Sequence, residues 1–282
     1  MLESLIKKGS ENQGPGRMFF VGLVYASLSL LLVHYFFPND SLANGMTVVA
    51  FCIMFTLPYM IKMIRREEVE DEQIEGFMGV WKIHSDAIYG FMWLFLGFVI
   101  AFSFWHIILG DPNLLNFQIE TYCKINSPGN VDGCISNYLF SDGGITGASI
   151  KEMRFLSILE NNVYVMIFTL LFSLVFGAGA IFILVWNASV IAAAIGFFTK
   201  NSLAGIPLGI GRYMIHGLPE IAAYFIAALA GGIFGVGILR NGIRNPKSWK
   251  VIENAIILIF IAILILIVAA AMEVYITPLI FN

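Results

Sequence analysis

Charge is what this sequence has least of. Only 12% of its 282 residues are Asp, Glu, Lys or Arg, about half the share of an average soluble domain. The 16 basic and 19 acidic side chains nearly cancel, to a formal charge of -3. A chain so sparsely charged has no basic stripe for a nucleic-acid backbone and no isolated acidic or basic tail, which excludes nucleic acid as a partner. Metal-ligating material is equally thin: four histidines and three cysteines, with no Cys/His spacing that fills a tetrahedral site. There is no G-x-S-x-G elbow, no H-E-x-x-H and no glycine-rich phosphate loop ending in Lys-Ser or Lys-Thr. No catalytic residue, metal or cofactor is therefore expected. A hydrolase working inside the membrane would need an activated nucleophile beside His216, and the sequence offers none.

What the sequence has is apolar length. Apolar residues make up 59% of the chain and its mean hydropathy is +0.83, values of an integral membrane protein. The N-terminus lacks the basic, apolar and small-residue order of a cleaved signal, so it is expected to be retained. Helices that cross about 30 Å of hydrocarbon need about 20 apolar residues. Uncharged runs of that size lie at 18–39, 41–61, 87–110, 221–239 and 254–272, bounded by Arg17, Lys62, Asp111, Arg240 and Glu273. A sixth run, Asn161 to Thr199, carries no charge and as one straight helix would reach about 58 Å, too long for a single crossing. The break is expected at Asn187 in "VWNASV", where an amide can satisfy loosened backbone. Beyond it lie two short legs, 188–199 and 203–215, that form either a broken crossing or a re-entrant hairpin. The fold class is thus all-α, a polytopic membrane protein of six to seven transmembrane helices with a broken or re-entrant segment around 188–215. Lys and Arg gather in the N-terminal tail, in 62–82 and in 240–250, which places these segments and the N-terminus in the cytoplasm of a cell-membrane protein and favours seven crossings.

Three regions follow: an N-terminal transmembrane hairpin with a charged connector (1–86), a third span with an extracytoplasmic loop (87–160), and a transmembrane core (161–282). The connector 62–86 holds seven acidic and four basic residues and reads as a solvated helix. In the loop, Cys123 and Cys134 flank turn formers Pro128, Gly129, Asn130 and Gly133, so the sulfurs can meet as a disulfide if that face is oxidising, with free thiols the alternative. Cys52, mid-span, reads as a small inert apolar residue. The glycine clusters around Gly177 and Gly179 and around Gly231 and Gly235 lie in apolar spans, where small residues let helix backbones approach. Ala227, Gly231 and Gly235 form one stripe at four-residue spacing. It can pair helices within one chain or between two copies in a homo-oligomer, with intramolecular packing the first expectation.

Polar residues inside such spans are functional candidates by default. In "HGLPEIAAYF", Pro219 suits the first turn of a helix, with Glu220 just inside it and His216 at the cap. Glu273, in "AAAMEVYITP", falls at about the depth of Glu220 if the last two spans are antiparallel. The polar set is Asn161, Asn162, Asn187, His216, Glu220 and Glu273, either a structural cluster or a binding site.

The stretches "ENNVYVMIFTLLFSLVFGAGAIFILVWNASVIAAAIGFF", "MIHGLPEIAAYFIAALAGGIFGVGIL" and "AAAMEVYITP" resemble the stage II sporulation protein M family. The shared pattern is an Asn-Asn opening a span, a small-residue break, a following Asn, His-Gly-x-x-Glu and a terminal Ala-x-x-Glu-x-x-x-Thr-Pro, over roughly residues 160–278. The residues carrying it are Asn161, Asn162, Gly177, Asn187, His216, Gly217, Glu220, Glu273, Thr277 and Pro278. The resemblance implies a polytopic membrane protein without catalytic activity; the family's namesake is a membrane scaffold for two cell-wall-degrading partners in spore formers. The expected function is a non-enzymatic scaffold or anchor for envelope or cell-wall-associated partners in the lipid bilayer. The alternative is a transporter or channel using the polar residues of the broken helices.

Overall fold

The computed structural model describes residues 15–37, 44–71, 77–126, 129–140, 151–176, 181–200, 202–242 and 246–281. Three helices come first: α1 (Pro15–Phe36), α2 (Asn44–Asp71) and α3 (Phe77–Leu109). A 3-10 turn (Pro112–Leu115) leads into two short helices, α4 (Asn116–Asn126) and α5 (Val131–Phe140). The remainder is α6 (Lys151–Phe176), α7 (Ile181–Thr199), α8 (Ile206–Asn241) and α9 (Pro246–Ala271), closed by a π turn (Met272–Ile276) and a last helical turn, α10 (Thr277–Ile280). Among the described residues there is no strand. Among the described residues seven helical stretches are long and apolar enough to cross a membrane: 16–36, 45–62, 84–109, 155–175, 181–199, 203–239 and 248–280. The protein is a polytopic all-α membrane protein.

The seven alternate in direction. One end of the bundle gathers the α1–α2 and α7–α8 connections, the α4–α5 hairpin and the C-terminus. The other gathers the starts of α1, α3, α7 and α9 and the far ends of α2, α6 and α8, with the described basic side chains Arg17, Lys62 and Lys250. These are called the hairpin end and the basic end.

Continuous apolar sequence makes the helices, and small residues decide which of them touch. The most extensive pairings are α8 with α9, α1 with α3, and α6 with α8. Lipid is as apolar as leucine, so association must come from close van der Waals contact and interhelical hydrogen bonds. At Gly22 on α1 an added methyl group would run into the Leu94 carbonyl of α3, and at Gly97 on α3 into the Phe19 carbonyl of α1. Gly231 and Gly235 on α8 sit in the same way on the Leu170 and Leu174 carbonyls of α6, while Ala227 is fully buried. The small-residue stripe of α8 is therefore an intramolecular packing face. At the centre, Phe91 of α3 stacks on Phe225 of α8 with ring centroids 4.6 Å apart. Cys52 is a buried free thiol on α2, as its mid-span position predicts.

Three expectations are corrected. The uncharged run 161–199 does not break at Asn187. It divides between Phe176 and Ile181, and Asn187 lies within α7, its amide donating to the Ile183 carbonyl one turn back. An amide satisfied on its own helix has no need of loosened backbone. The legs 188–199 and 203–215 are not half-crossings: the first completes α7 and the second begins α8, which runs unbroken to Asn241. Among the described residues of 188–215, helix is interrupted after Thr199, where Lys200 takes φ 51° and Gly205 lies against the Thr199 side chain. Finally, Pro219 does not open a helix but lies inside α8, which continues across the missing donor because neighbouring helices enclose it. The connector begins as a continuation of α2 to Asp71; its side chains at 63–83, like Gly177 and Gly179, lie outside the described residues.

Seven alternating spans put residues near Ser248 and Asn282 on opposite sides. Single cysteines introduced there should label from opposite faces of sealed vesicles. Gly97→Leu and Gly231→Leu should each lower the thermal unfolding midpoint in detergent, by an overpacking cost of about 1 to 3 kcal/mol or more. Gly16→Ala, which meets nothing within 4 Å, should not.

Candidate functional site

The polar residues singled out in the sequence converge from α6, α8 and the end of α9. Asn162, buried on α6, donates from Nδ2 to Glu220 Oε1 on α8 at 2.6 Å. Asn161 donates weakly to Asn162 Oδ1 at 3.4 Å. Glu273 approaches closely enough to interact electrostatically with Glu220, and the buried Tyr224 senses both acids. His216, one turn before Glu220 on α8, pairs through Nδ1 with Thr277 Oγ1 at 3.1 Å, and that hydroxyl also contacts the Met272 carbonyl at 3.2 Å. A hydroxyl has one proton. With that proton given to the carbonyl, Thr277 receives the Nδ1–H of His216, which fixes the protonation of that nitrogen.

The end of α9 that meets the cluster is a π turn. It contains Glu273 and ends where Thr277 begins the last turn, and such turns widen a helix locally and often mark functional positions. Glu273 and Thr277, four residues apart, lie where this end of the chain packs on α8. Asn187 remains apart from this hydrogen-bond set, its amide committed to its own helix.

Depth decides how costly the cluster is. Glu220 lies about 30 Å along α8 from Arg240, and Glu273 about 30 Å along α9 from Glu253, at 1.5 Å per residue. That is roughly one hydrocarbon thickness, so the cluster sits just inside the hairpin-end boundary, where polar groups cost less than at the midplane. Below it, Ser173 of α6 donates to the Ala228 carbonyl of α8 at 2.6 Å, a further tie along the same pair of helices.

Above the cluster is a cap. Cys123 and Cys134 form the disulfide expected from the turn formers between them, with Cα atoms 5.6 Å apart, and it closes α4 against α5; what sequence reasoning missed is how this hairpin is tied down. The hairpin is fastened to three spans. Gln118, fully buried, donates to the Gly45 carbonyl at the start of α2, and the Gly45 N–H is received by Asn116 Oδ1 at 3.3 Å. Tyr138 of α5 shares a 2.6 Å hydrogen bond with the buried His106 near the end of α3. Tyr122 and Tyr138 both pack their rings on Phe197 of α7. Burial pushes both phenols above the ordinary tyrosine range, so they remain neutral donors at any physiological pH. Beside them Arg212 donates to the Phe281 carbonyl at 2.9 Å and lies over the Phe198 ring. The signal for His106 was a lone histidine closing an apolar run, "FSFWHIILG"; nothing in the sequence pointed to Tyr138 as its partner. Among the described residues no group of three His, Cys, Asp or Glu side chains is gathered as for a metal ion.

Two outcomes follow. Asn162→Ala and Glu220→Ala should each destabilise the protein, and the double substitution should cost less than their sum, with a coupling of about 1 to 2 kcal/mol; additive effects would show that the 2.6 Å bond contributes nothing. Tyr138→Phe should lower the unfolding midpoint, because it leaves a buried imidazole unpaired at about 1 to 3 kcal/mol.

The model of the family described as "Stage II sporulation protein M" matches residues 18–278, so the similarity extends through α1, α2 and α3 as well as the core from residue 160 onward. An uncharacterized protein of Methanocaldococcus jannaschii is 33% identical over 166 residues, covering 57% of this chain and 84% of the relative. No solved structure matches. A match running from the first span to the last, over a fold of seven apolar helices with the Asn-Asn, His-Gly-x-x-Glu and Glu-x-x-x-Thr-Pro residues meeting at one end, identifies the chain as a member of the stage II sporulation protein M family.

Proposed function

We propose that this protein is a non-enzymatic membrane scaffold or anchor, with its N-terminus and basic end in the cytoplasm and the α4–α5 hairpin offered to envelope or cell-wall-associated proteins. The observation that carries this reading is the fastening of the hairpin. A disulfide, the Gln118–Gly45 and Asn116–Gly45 bonds and the Tyr138–His106 bond hold a small extramembrane element rigidly on the bundle. Rigid elements present a docking surface at low entropic cost. The outward face of α5 exposes Asp132, Ser136 and Asn137. The basic-inside rule supports the orientation, and the internal pairing of Asn162 with Glu220 and of His216 with Thr277 supports a structural task for the polar cluster.

One observation favours a second reading, proton or cation transport: two carboxylates, Glu220 and Glu273, interact at the membrane boundary beside a π turn. Carboxylates that close in a low-dielectric setting do not ionise independently.

Purification of the full chain from its native membrane in mild detergent tests the first reading. An envelope protein should co-purify in fixed ratio, and Asp132→Lys with Asn137→Lys should release it while leaving the unfolding midpoint unchanged. Proton or cation flux through the purified protein alone in liposomes, abolished by Glu220→Gln, would establish transport instead.

A further inference from the structure

Two groups of three helices in this bundle repeat one another in opposite orientation. The helices α1, α2 and α3 run from the basic end to the hairpin end, back, and out again, while α6, α7 and α8 run in the opposite sense. In each group the first and third helices are parallel and touch at matching places. Gly97 of α3 rests on the Phe19 carbonyl of α1, and Gly22 of α1 on the Leu94 carbonyl of α3. At the same intervals along the chain, Gly231 of α8 rests on the Leu170 carbonyl of α6, and Ser173 of α6 bonds the Ala228 carbonyl of α8. The middle helices match as well: Val48, Cys52 and Thr56 are buried on α2, and Leu184, Ala188 and Ala192, at equal spacing, on α7. Phe91 stands six residues before Gly97, and Phe225 six before Gly231; five residues before each ring stands an acid, Asp86 and Glu220. The two rings stack on each other at 4.6 Å, as residues exchanged by a two-fold axis do when the axis passes between them.

Inverted repeats of this kind let one group rock against the other, between two arrangements in which the groups exchange conformations. An inequality between related interfaces marks the arrangement that is seen. The relation exchanges the interface of α3 and α7 with that of α8 and α2, and the first is the more extensive. The ends of α3 and α7 are also bridged: Tyr138 of α5 bonds His106 at the end of α3 and packs on Phe197 at the end of α7. Through the bond of Gln118 to Gly45 the same hairpin holds the start of α2. The hairpin thus ties the first group to the second at the hairpin end. The related ends of α8 and α2 lie at the basic end.

We propose that the bundle is a two-state switch whose groups pivot on the contact of Phe91 with Phe225. The observed state is closed at the hairpin end, with the α4–α5 hairpin as its clasp. In the exchanged state α3 and α7 part at that end, and α2 and α8 close at the basic end. The switch does not depend on the scaffold reading but goes beyond it. A partner that binds the clasped hairpin favours the observed state, and by linkage whatever holds the basic end open strengthens docking.

The test measures distances between spin labels on the full chain in a Cys52→Ser background, where the remaining two cysteines are joined in the disulfide. Lys62→Cys with Leu239→Cys reads the ends of α2 and α8. Ile108→Cys with Leu203→Cys reads the end of α3 against the connection after α7; all four native side chains are exposed. Two changes open the clasp. His106→Leu with Tyr138→Phe removes both partners of a buried bond, so that neither is left unpaired, and Gly45→Leu drives into the Gln118 and Asn116 side chains. Each should give the basic-end pair a second distance shorter by about 5 Å, the size of a one-turn shift, and the hairpin-end pair a longer one in the same proportion. The unfolding midpoint checks that each variant is folded. Lengthening at the hairpin end alone would mean that the hairpin only lifts, and would overturn the switch. Unchanged distances in both variants, or broadening without a second peak, would overturn it equally. Co-purification reads docking and the paired distances read the switch, so the two can fail separately.

Discussion

The architecture depends on the contact of α6 with α8 at Gly231 and Gly235. Two helices in hydrocarbon are not driven together by water, so their attraction is that of atoms in contact. With hydrogen atoms in place of side chains at these two positions, the α8 backbone rests on the Leu170 and Leu174 carbonyls. At that separation short polar side chains can span the gap: Ser173 reaches Ala228, and about two turns away along α8 Asn162 reaches Glu220. A leucine at Gly231 would run into the Leu170 carbonyl and force the helices from the spacing at which these bonds form. The glycines thus determine whether the polar cluster exists, although none of them belongs to it.

The same constraint explains why the polar residues are sorted as they are. Serine and threonine hydroxyls inside spans return to their own helices, as Ser29, Thr56, Ser103 and Thr169 do, and so does the amide of Asn187. A polar group that does not turn back must find its partner on another helix. Among the described residues, Asn162, Ser173, His216 and Glu220 do so along the seam of α6, α8 and the end of α9, and His106 does so with Tyr138 of the hairpin. The seam is ordered by pairs of specific donors and acceptors, which fix register in a way that interchangeable apolar contacts do not.

Much of this was legible in the sequence. Apolar run length gives the helix count, small residues at four-residue spacing give the face of α8, and Asn162, His216, Glu220 and Glu273 stand out because a titratable or amide side chain is conspicuous in so apolar a chain. What escaped had physical reasons. The break in the 161–199 run lies between Phe176 and Ile181, where the local signal is only small residues, while Asn187 advertised a break it does not make. Pro219 reads as a helix start from local rules, yet tertiary packing carries α8 through it. The pairs His106 with Tyr138 and Gln118 with Gly45 join residues far apart in the chain, and no local pattern encodes such a meeting.

The π turn has an implication for how this chain came to be. A π turn closes its hydrogen-bond ring over one more residue than an α turn, so an ordinary last helix becomes this one by the gain of a single amino acid between Met272 and Ile276. The wider ring takes up the added residue, so the helix before it and the turn after it keep the faces they had. Loss of one residue within 272–276 would therefore close the ring to an α turn without taking Thr277 from His216, and the side chains it would redirect are those inside the ring, where Glu273 lies.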